Sequence, residues 1–226
     1  MLLEVSDLAA LDRRSDVFAV GWDGGCCELI LHYDGRTWST MSKGTTSWLN
    51  GVWSSSNNDA FAVGASGTIL HYDGKVWSPM NSGTNKIFIS IWGNSDSDVF
   101  AVGESGIILH YDGKVWSPME SGWPTKPITH SYQQGLGTSV YINGVWGSSG
   151  SDVFAATDFG SILHYDGKAW SLMDSGTTNN LGTMWGSSGS DVFTAGDKGT
   201  LLHYDGKAWS PMSSRTTEDI YSVWGS

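Results

Sequence analysis

Residues 185–209 read WGSSGSDVFTAGDKGTLLHYDGKAW, and the same frame recurs along the chain. Its most regular piece, His-Tyr-Asp-Gly, begins at His32, His71, His110, His164 and His203, so the intervals are 39, 39, 54 and 39 residues. Upstream of each stands Asp-Val-Phe-Ala-Val-Gly or a close variant, and downstream a Lys-x-Trp-Ser-x-Met or its near equivalent. Self-similarity at a period near 40 residues marks a repeat architecture, in which each unit buries its apolar faces against its neighbours.

One unit divides into four short strands. Asn50–Trp53 is strand a, Ala60–Val63 strand b, Thr68–Tyr72 strand c and Lys75–Met80 strand d. All are rich in β-branched or aromatic residues and punctuated by glycine, and none has helical periodicity. The Asp73-Gly74 step is read as a two-residue turn that supplies positive φ and closes a tight c–d hairpin. Four antiparallel strands per unit of about 39 residues give the expected fold: an all-β, five-bladed β-propeller in one domain spanning residues 1–226. The chain ends on a further strand a, Ile220–Trp224, and that strand is expected to complete the first blade and close the ring, removing an open edge. Residues 1–15 are then an N-terminal extension or degenerate strand, 16–226 the five repeats with the closing strand, and 121–140 a long loop insertion. The rival reading is a cut from a longer array.

The frame Trp-Gly-Ser-Ser-x-x-Asp-Val-Phe-Ala-Val-Gly-x-x-Gly-x-Ile-Leu-His-Tyr-Asp-Gly-Lys-x-Trp resembles the tandem-repeat propellers of bacterial secreted and surface proteins. It is more distantly similar to Asp-box, WD-repeat and tachylectin-type propellers. The resemblance implies an extracellular or cell-surface setting. It does not imply one activity, because a propeller frame hosts lectins, hydrolases and scaffolds. Tachylectin-type propellers imply a further option, five equivalent lectin sites between blades that use the recurring Tyr and Trp.

Composition narrows the partners. A net charge of −11 with four arginines cannot neutralise a row of phosphates, so nucleic acid is a poor partner. No apolar run approaches the roughly 20 residues that span a bilayer, and Leu2–Asp7 is too polar for a signal-peptide core. The adjacent Cys26 and Cys27 exclude a disulfide framework and are read as two free thiols.

Residues outside the repeat locate the candidate site. Ten of the 13 Trp occupy repeat positions, which leaves Trp22, Trp48 and Trp123 to be explained. The same subtraction leaves Phe88, His130, Tyr132, Tyr141 and Phe159, along with Tyr221 in the closing strand. Nearly all fall in b–c loops or d–a connections, on one propeller face, and the two insertions lengthen that face. Loops on a rigid scaffold concentrate binding residues, and exposed aromatics there offer stacking surface to a glycan or protein ligand. Carboxylates gather in the b–c loops as well (Asp23 with Glu28, Glu104, Asp158 and Asp197), where an oxygen ring could hold Ca²⁺; solvated turn residues are the competing reading.

The recurring His and the Asp that opens strand b (Asp16, Asp59, Asp98, Asp152, Asp191) are expected to satisfy buried backbone groups, as a polar network does in WD repeats. Arginines are too few for a sialidase, strand a carries no acid pair for a glycosidase, and no Gly-x-Ser-x-Gly elbow precedes a helix. The expected function is therefore non-enzymatic binding of carbohydrate or protein. The alternatives are a glycan-active hydrolase using loop carboxylates and a ligand-free assembly unit of a surface protein.

Overall fold

A computed structural model describes residues 4–10, 17–22, 28–41, 46–122 and 140–225, with residues 4–10, 22 and 28 described as backbone only. They form five antiparallel sheets of four strands each, resembling propeller blades. The first sheet is β1 (Glu4–Ala10), β2 (Val17–Trp22), β3 (Glu28–Tyr33) and β4 (Trp38–Thr40). The second is β5 (Leu49–Ser56), β6 (Asp59–Gly64), β7 (Ile69–Tyr72) and β8 (Trp77–Met80); the third is β9 (Phe88–Ser95), β10 (Asp98–Gly103), β11 (Ile108–Tyr111) and β12 (Trp116–Pro118). The fourth comprises β13 (Ile142–Ser149), β14 (Asp152–Thr157), β15 (Ile162–Tyr165) and β16 (Trp170–Met173). The fifth comprises β17 (Leu181–Ser188), β18 (Asp191–Gly196), β19 (Leu201–Tyr204) and β20 (Trp209–Pro211). By contacts the chain divides into two compact units, Met1–Ala101 with Leu109–Pro118 and Val102–Ile108 with Met119–Ser226. No helix among the described residues is long and apolar enough to cross a membrane.

The repeat sequence explains the sheet. Strand b is buried along nearly its whole length in β6, β10 and β14, which is why Asp-Val-Phe-Ala-Val-Gly lacks polar alternation after its first residue. Its Phe faces the strand-a Trp on one side and the strand-c His on the other, as in Trp53↔Phe61↔His71. The rings follow the register: Trp53–Phe61 centroids are 6.3 Å apart and Phe61–His71 4.5 Å, with 6.4 and 4.5 Å for Trp146–Phe154–His164.

Neighbouring sheets interlock through the same Phe. Tyr72 and Trp77 of the second sheet lie 5.6 and 5.9 Å from Phe18 of the first, and Tyr204 and Trp209 of the fifth lie 5.5 and 6.3 Å from Phe154 of the fourth. The Trp77 indole donates to Met41 Sδ at 3.3 Å and the Trp116 indole to Met80 Sδ at 3.4 Å, which gives the Met at the end of strand d a role in these two repeats.

The c–d connection is a hairpin as expected, but of four residues between paired Tyr72 and Trp77. Gly74 takes φ +86°, while Asp73 stays out of the left-handed region and its carboxylate caps the turn by accepting from Lys75 N and Val76 N, both at 2.9 Å.

The expected five-bladed propeller closed by the C-terminal strand is not what forms. The first sheet already has its inner strand, because Glu4–Ala10 pairs with β2, Ala9 opposite Phe18. Residues 220–225 form no strand. Trp38 of the first sheet stays 48% exposed, whereas Trp77, Trp116, Trp170 and Trp209 are 4–8% exposed.

The physical reason lies in one residue. Where an inner-strand Trp meets the next sheet it lies on a glycine: a Cβ on Gly93 would sit 2.6 Å from Trp53 Cη2, and one on Gly186 2.6 Å from Trp146 Cη2. At the matching place in the second sheet stands Ser54, buried to 5% exposure, whose side chain fills the room a first-sheet Trp would need. An inner strand carrying Trp224 cannot replace Glu4–Ala10 there without overpacking.

Candidate functional site

In four sheets the recurring polar side chains bind one another. His71 Nε2 lies 2.6 Å from Asp59 Oδ1, His110 2.7 Å from Asp98, His164 2.7 Å from Asp152 and His203 2.8 Å from Asp191. The second carboxylate oxygen accepts from Ser55, Ser148 or Ser187 in three sheets and from Asn94 in the third. A serine nucleophile would have its hydroxyl on the imidazole and the carboxylate behind it. Here the hydroxyl donates to the carboxylate, so the order is wrong for acyl transfer, and the network ties strands a, b and c together.

The b–c side of each sheet is built differently. Strand b runs into a 3-10 turn, Ala65–Gly67, Glu104–Gly106, Asp158–Gly160 or Asp197–Gly199, whose middle residue adopts left-handed backbone: Ser66, Ser105, Phe159 and Lys198 at φ +55° to +61°. In the second unit these turns are joined by a row of hydrogen bonds. Asp158 accepts from Asn143 Nδ2 at 2.9 Å and from Tyr141 N at 3.3 Å. Phe159 N donates to Asn180 Oδ1 at 2.9 Å, Asn180 Nδ2 donates to Asp197 Oδ2 at 2.9 Å, and Lys198 N donates to Asp219 Oδ1 at 2.9 Å. Asn143 also reaches Leu181 O at 3.0 Å, linking β13 to β17. The result is a fixed polar row from which the side chains at 159 and 198 project. In the first unit, Trp48 O accepts from Ala65 N at 2.8 Å just ahead of β5, and the Trp48 side chain is 61% exposed.

The aromatic residues singled out from sequence separate into groups. Trp48 and Phe159 (40% exposed) lie on the loop side with much of the ring uncovered. Tyr141 sits just before β13, clasping Asp158 through its backbone N and O. Phe88 opens β9 at 0% exposure and belongs to the core. Trp22 ends β2, opposite Glu28. Trp123, His130, Tyr132 and Asp23 lie outside the described residues.

For the carboxylates, Asp158 and Asp197 are engaged by amide donors of neighbouring strands, and Glu104 opens a turn of its own. Among the described residues no three His, Cys, Asp or Glu side chains converge as a metal-binding group. Subtracting the repeat by residue type missed Asn143, Asn180 and Asp219. For Asn180 and Asp219 the signal was positional: the residues at this slot are Trp48, Ile87, Tyr141, Asn180 and Asp219, and the slot varies where its neighbours repeat.

Sheet order, repeat and interlocking rings define the class as propeller-like, an all-β array of four-stranded blades. Similarity to solved structures agrees. The chain is similar to YCF48 from Cyanidioschyzon merolae at 14% identity, with a TM-score of 0.66 over 96% of this chain and 74% of the other. A structure of YCF48 bound to D1 peptide is similar at 17% identity and TM-score 0.47, over 92% of this chain and 80% of that one. At such identity the likeness concerns the fold alone. No protein-family model matches the chain, and no curated protein does. The bacterial tandem-repeat family expected from the frame thus reduces to the coarser statement of a propeller-like fold.

Proposed function

We propose that this chain is a non-catalytic binding module that takes a protein or carbohydrate partner on the b–c/d–a loop side of its sheets. The observation that carries the reading is Phe159. Its backbone is held at φ +61°, a region that costs a bulky residue of order 1–3 kcal/mol, while its ring stays 40% exposed. Sibling turns place the small or flexible polar residues Ser66, Ser105 and Lys198 at this position. A residue that neither fits the backbone nor fills the core is accounted for by contact with something outside the chain. Trp48 offers the same kind of surface in the first unit, and an aromatic anchor of this kind supports either ligand class. The fixed polar row beneath Phe159 supplies preorganisation.

The test is a glycan array run beside a protein-interaction screen, followed by Phe159→Ser and Trp48→Ala in whichever format gives a ligand. Loss of at least about tenfold in affinity at unchanged melting temperature is expected from one or both variants. Unchanged binding by both would overturn the proposal, and ligand turnover by the parent chain would overturn its non-catalytic part.

A further inference from the structure

Each c–d hairpin carries an Asp-Gly link: Asp34-Gly35, Asp73-Gly74, Asp112-Gly113, Asp166-Gly167 and Asp205-Gly206. All five aspartates are exposed. Such a link is open to isoaspartate formation, because glycine has no Cβ to shield its nitrogen. The chemistry needs only water. The Gly nitrogen bonds to the Asp Cγ, gives up its proton, and a carboxyl oxygen leaves as water, which closes a five-membered imide. Water then adds to the imide at the former main-chain carbonyl and breaks that C–N bond. The chain now runs through Cβ and Cγ, and an α-carboxylate is freed. One water leaves and one returns, so the mass is unchanged and nothing is oxidised or reduced.

The nucleophile is left open. Among the described residues no hydrogen bond engages the N–H of Gly35, Gly74, Gly113, Gly167 or Gly206. The electrophile is held. Oδ1 of Asp73 accepts from Lys75 N and Val76 N, and Oδ1 of Asp34, Asp112, Asp166 and Asp205 accepts from the matching pairs, all at 2.8–2.9 Å. A carboxyl oxygen leaves as water only from the protonated group, and charge-assisted hydrogen bonds favour the ionised one. The N–H of Val76 and then that of Lys75 accordingly keep Asp73 below the ordinary aspartate range.

We infer that these five links are latent isoaspartate sites, kept closed by the two N–H groups that cap each turn, and that a turn deprived of one of them converts first. Conversion has a defined cost to the fold. It adds a backbone atom to the four-residue connection between paired Tyr72 and Trp77, whose rings lie 5.3 Å apart, and so disturbs the indole that donates to Met41 Sδ. The hairpins lie at the opposite end of strand c from the Phe159 turn, and the inference stands apart from the binding proposal. A sixth link, Asp23-Gly24, lies outside the described residues and takes no part in it.

The experiment incubates the full chain at about pH 5, where an uncapped aspartate is still partly protonated. A synthetic peptide copying residues 71–78, HYDGKVWS, is incubated beside it. Isoaspartate is followed link by link by tandem mass spectrometry of proteolytic fragments. Conversion at Asp73 should be at least about tenfold slower in the folded chain than in the peptide, since the carboxylate must first give up its hydrogen bonds. Lys75→Pro removes one of the two donors and should speed conversion at Asp73 at least about fivefold, after correction by a peptide bearing the same change. Asp34, Asp112, Asp166 and Asp205 of the same molecule should keep the parent rates. Equal rates in folded chain and peptide overturn the inference. So does a Lys75→Pro chain that keeps the parent melting temperature and converts no faster at Asp73, which would show that rigidity of the fold alone protects the link. Should the variant unfold, the other four links would accelerate with Asp73, and the comparison of folded parent with peptide still decides.

Discussion

Gly93 lies against the face of Trp53 so closely that a Cβ would stand 2.6 Å from the indole. The contact sets a rule for this chain: an inner-strand Trp requires glycine in the next sheet. Gly93→Ala should therefore destabilise the protein by about 1–3 kcal/mol through overpacking, read as a fall in urea midpoint at constant slope. Ser54 is the counter-case. Its buried hydroxyl has no hydrogen-bond partner among the described residues, so Ser54→Ala should stabilise by about 1 kcal/mol. A destabilised Ser54→Ala would mean the hydroxyl is bonded after all.

Arg215 occupies, at φ +59°, the place held in other repeats by Gly83, Gly122 and Gly176 at φ +65° to +73°. Its side chain is exposed, so nothing offsets the conformational penalty. Arg215→Gly should raise stability by about 1 kcal/mol, the gain being limited by the greater freedom of glycine in the unfolded chain. A melting curve shifted downward would show that the side chain makes a contact of consequence.

Acid should weaken the fold through its hairpins. Asp73 is held below the ordinary aspartate range by the N–H of Val76 and then that of Lys75, and Asp34, Asp112, Asp166 and Asp205 are lowered by the matching pairs. Asp191 is lowered by Ser187 and then His203. A depressed folded-state pKa gives stability that is complete above the unfolded value of about 3.9 and is lost as pH falls through the folded value. Denaturation midpoints should fall as pH drops below about 4, and Asp73→Asn, which keeps the acceptor and removes the titration, should flatten that slope. A midpoint independent of pH in that range would contradict this.

Removing residues 220–226 should leave the first sheet intact, because β1 and not the C-terminal segment completes it. The truncated chain is expected to unfold within about 1 kcal/mol of the parent, and to do so as a soluble monomer if the parent is one. Loss of protection at β2 by hydrogen exchange would contradict the pairing described.

Strands b, c and d were legible because their residues repeat by type: each Phe, His, Tyr and Trp answers to a ring contact that recurs from sheet to sheet. Strand a of the first sheet was legible only as one of two options for residues 1–15, an extension or a degenerate strand, since Glu4–Ala10 has no Trp and its mark is indirect, the Trp53-Ser54 pair standing where Trp92-Gly93 and Trp185-Gly186 stand elsewhere. Phe88 misled for a related reason. It stands outside the repeat by type but shares its position with Leu49, Ile142 and Leu181, all buried at the start of an inner strand. Trp48 is the converse: its position is variable in chemistry, and its side chain remains uncovered. Counting residue types finds a core made of identical rings; only counting positions separates a core slot with changing occupants from a surface one.

The thioethers beneath Trp77 and Trp116 make the seams between sheets sensitive to peroxide. Oxidising Met41 or Met80 would put a polar, chiral sulfoxide where a soft sulfur now meets an indole N–H, in a space sized for the unmodified side chain. The weakness is not copied into every sheet, since among the described residues the Trp209 indole N–H of the fifth has no hydrogen-bond partner. Mild oxidant would therefore loosen the contacts made by Trp77 and Trp116 before the hydrogen-bonded ladders within the sheets.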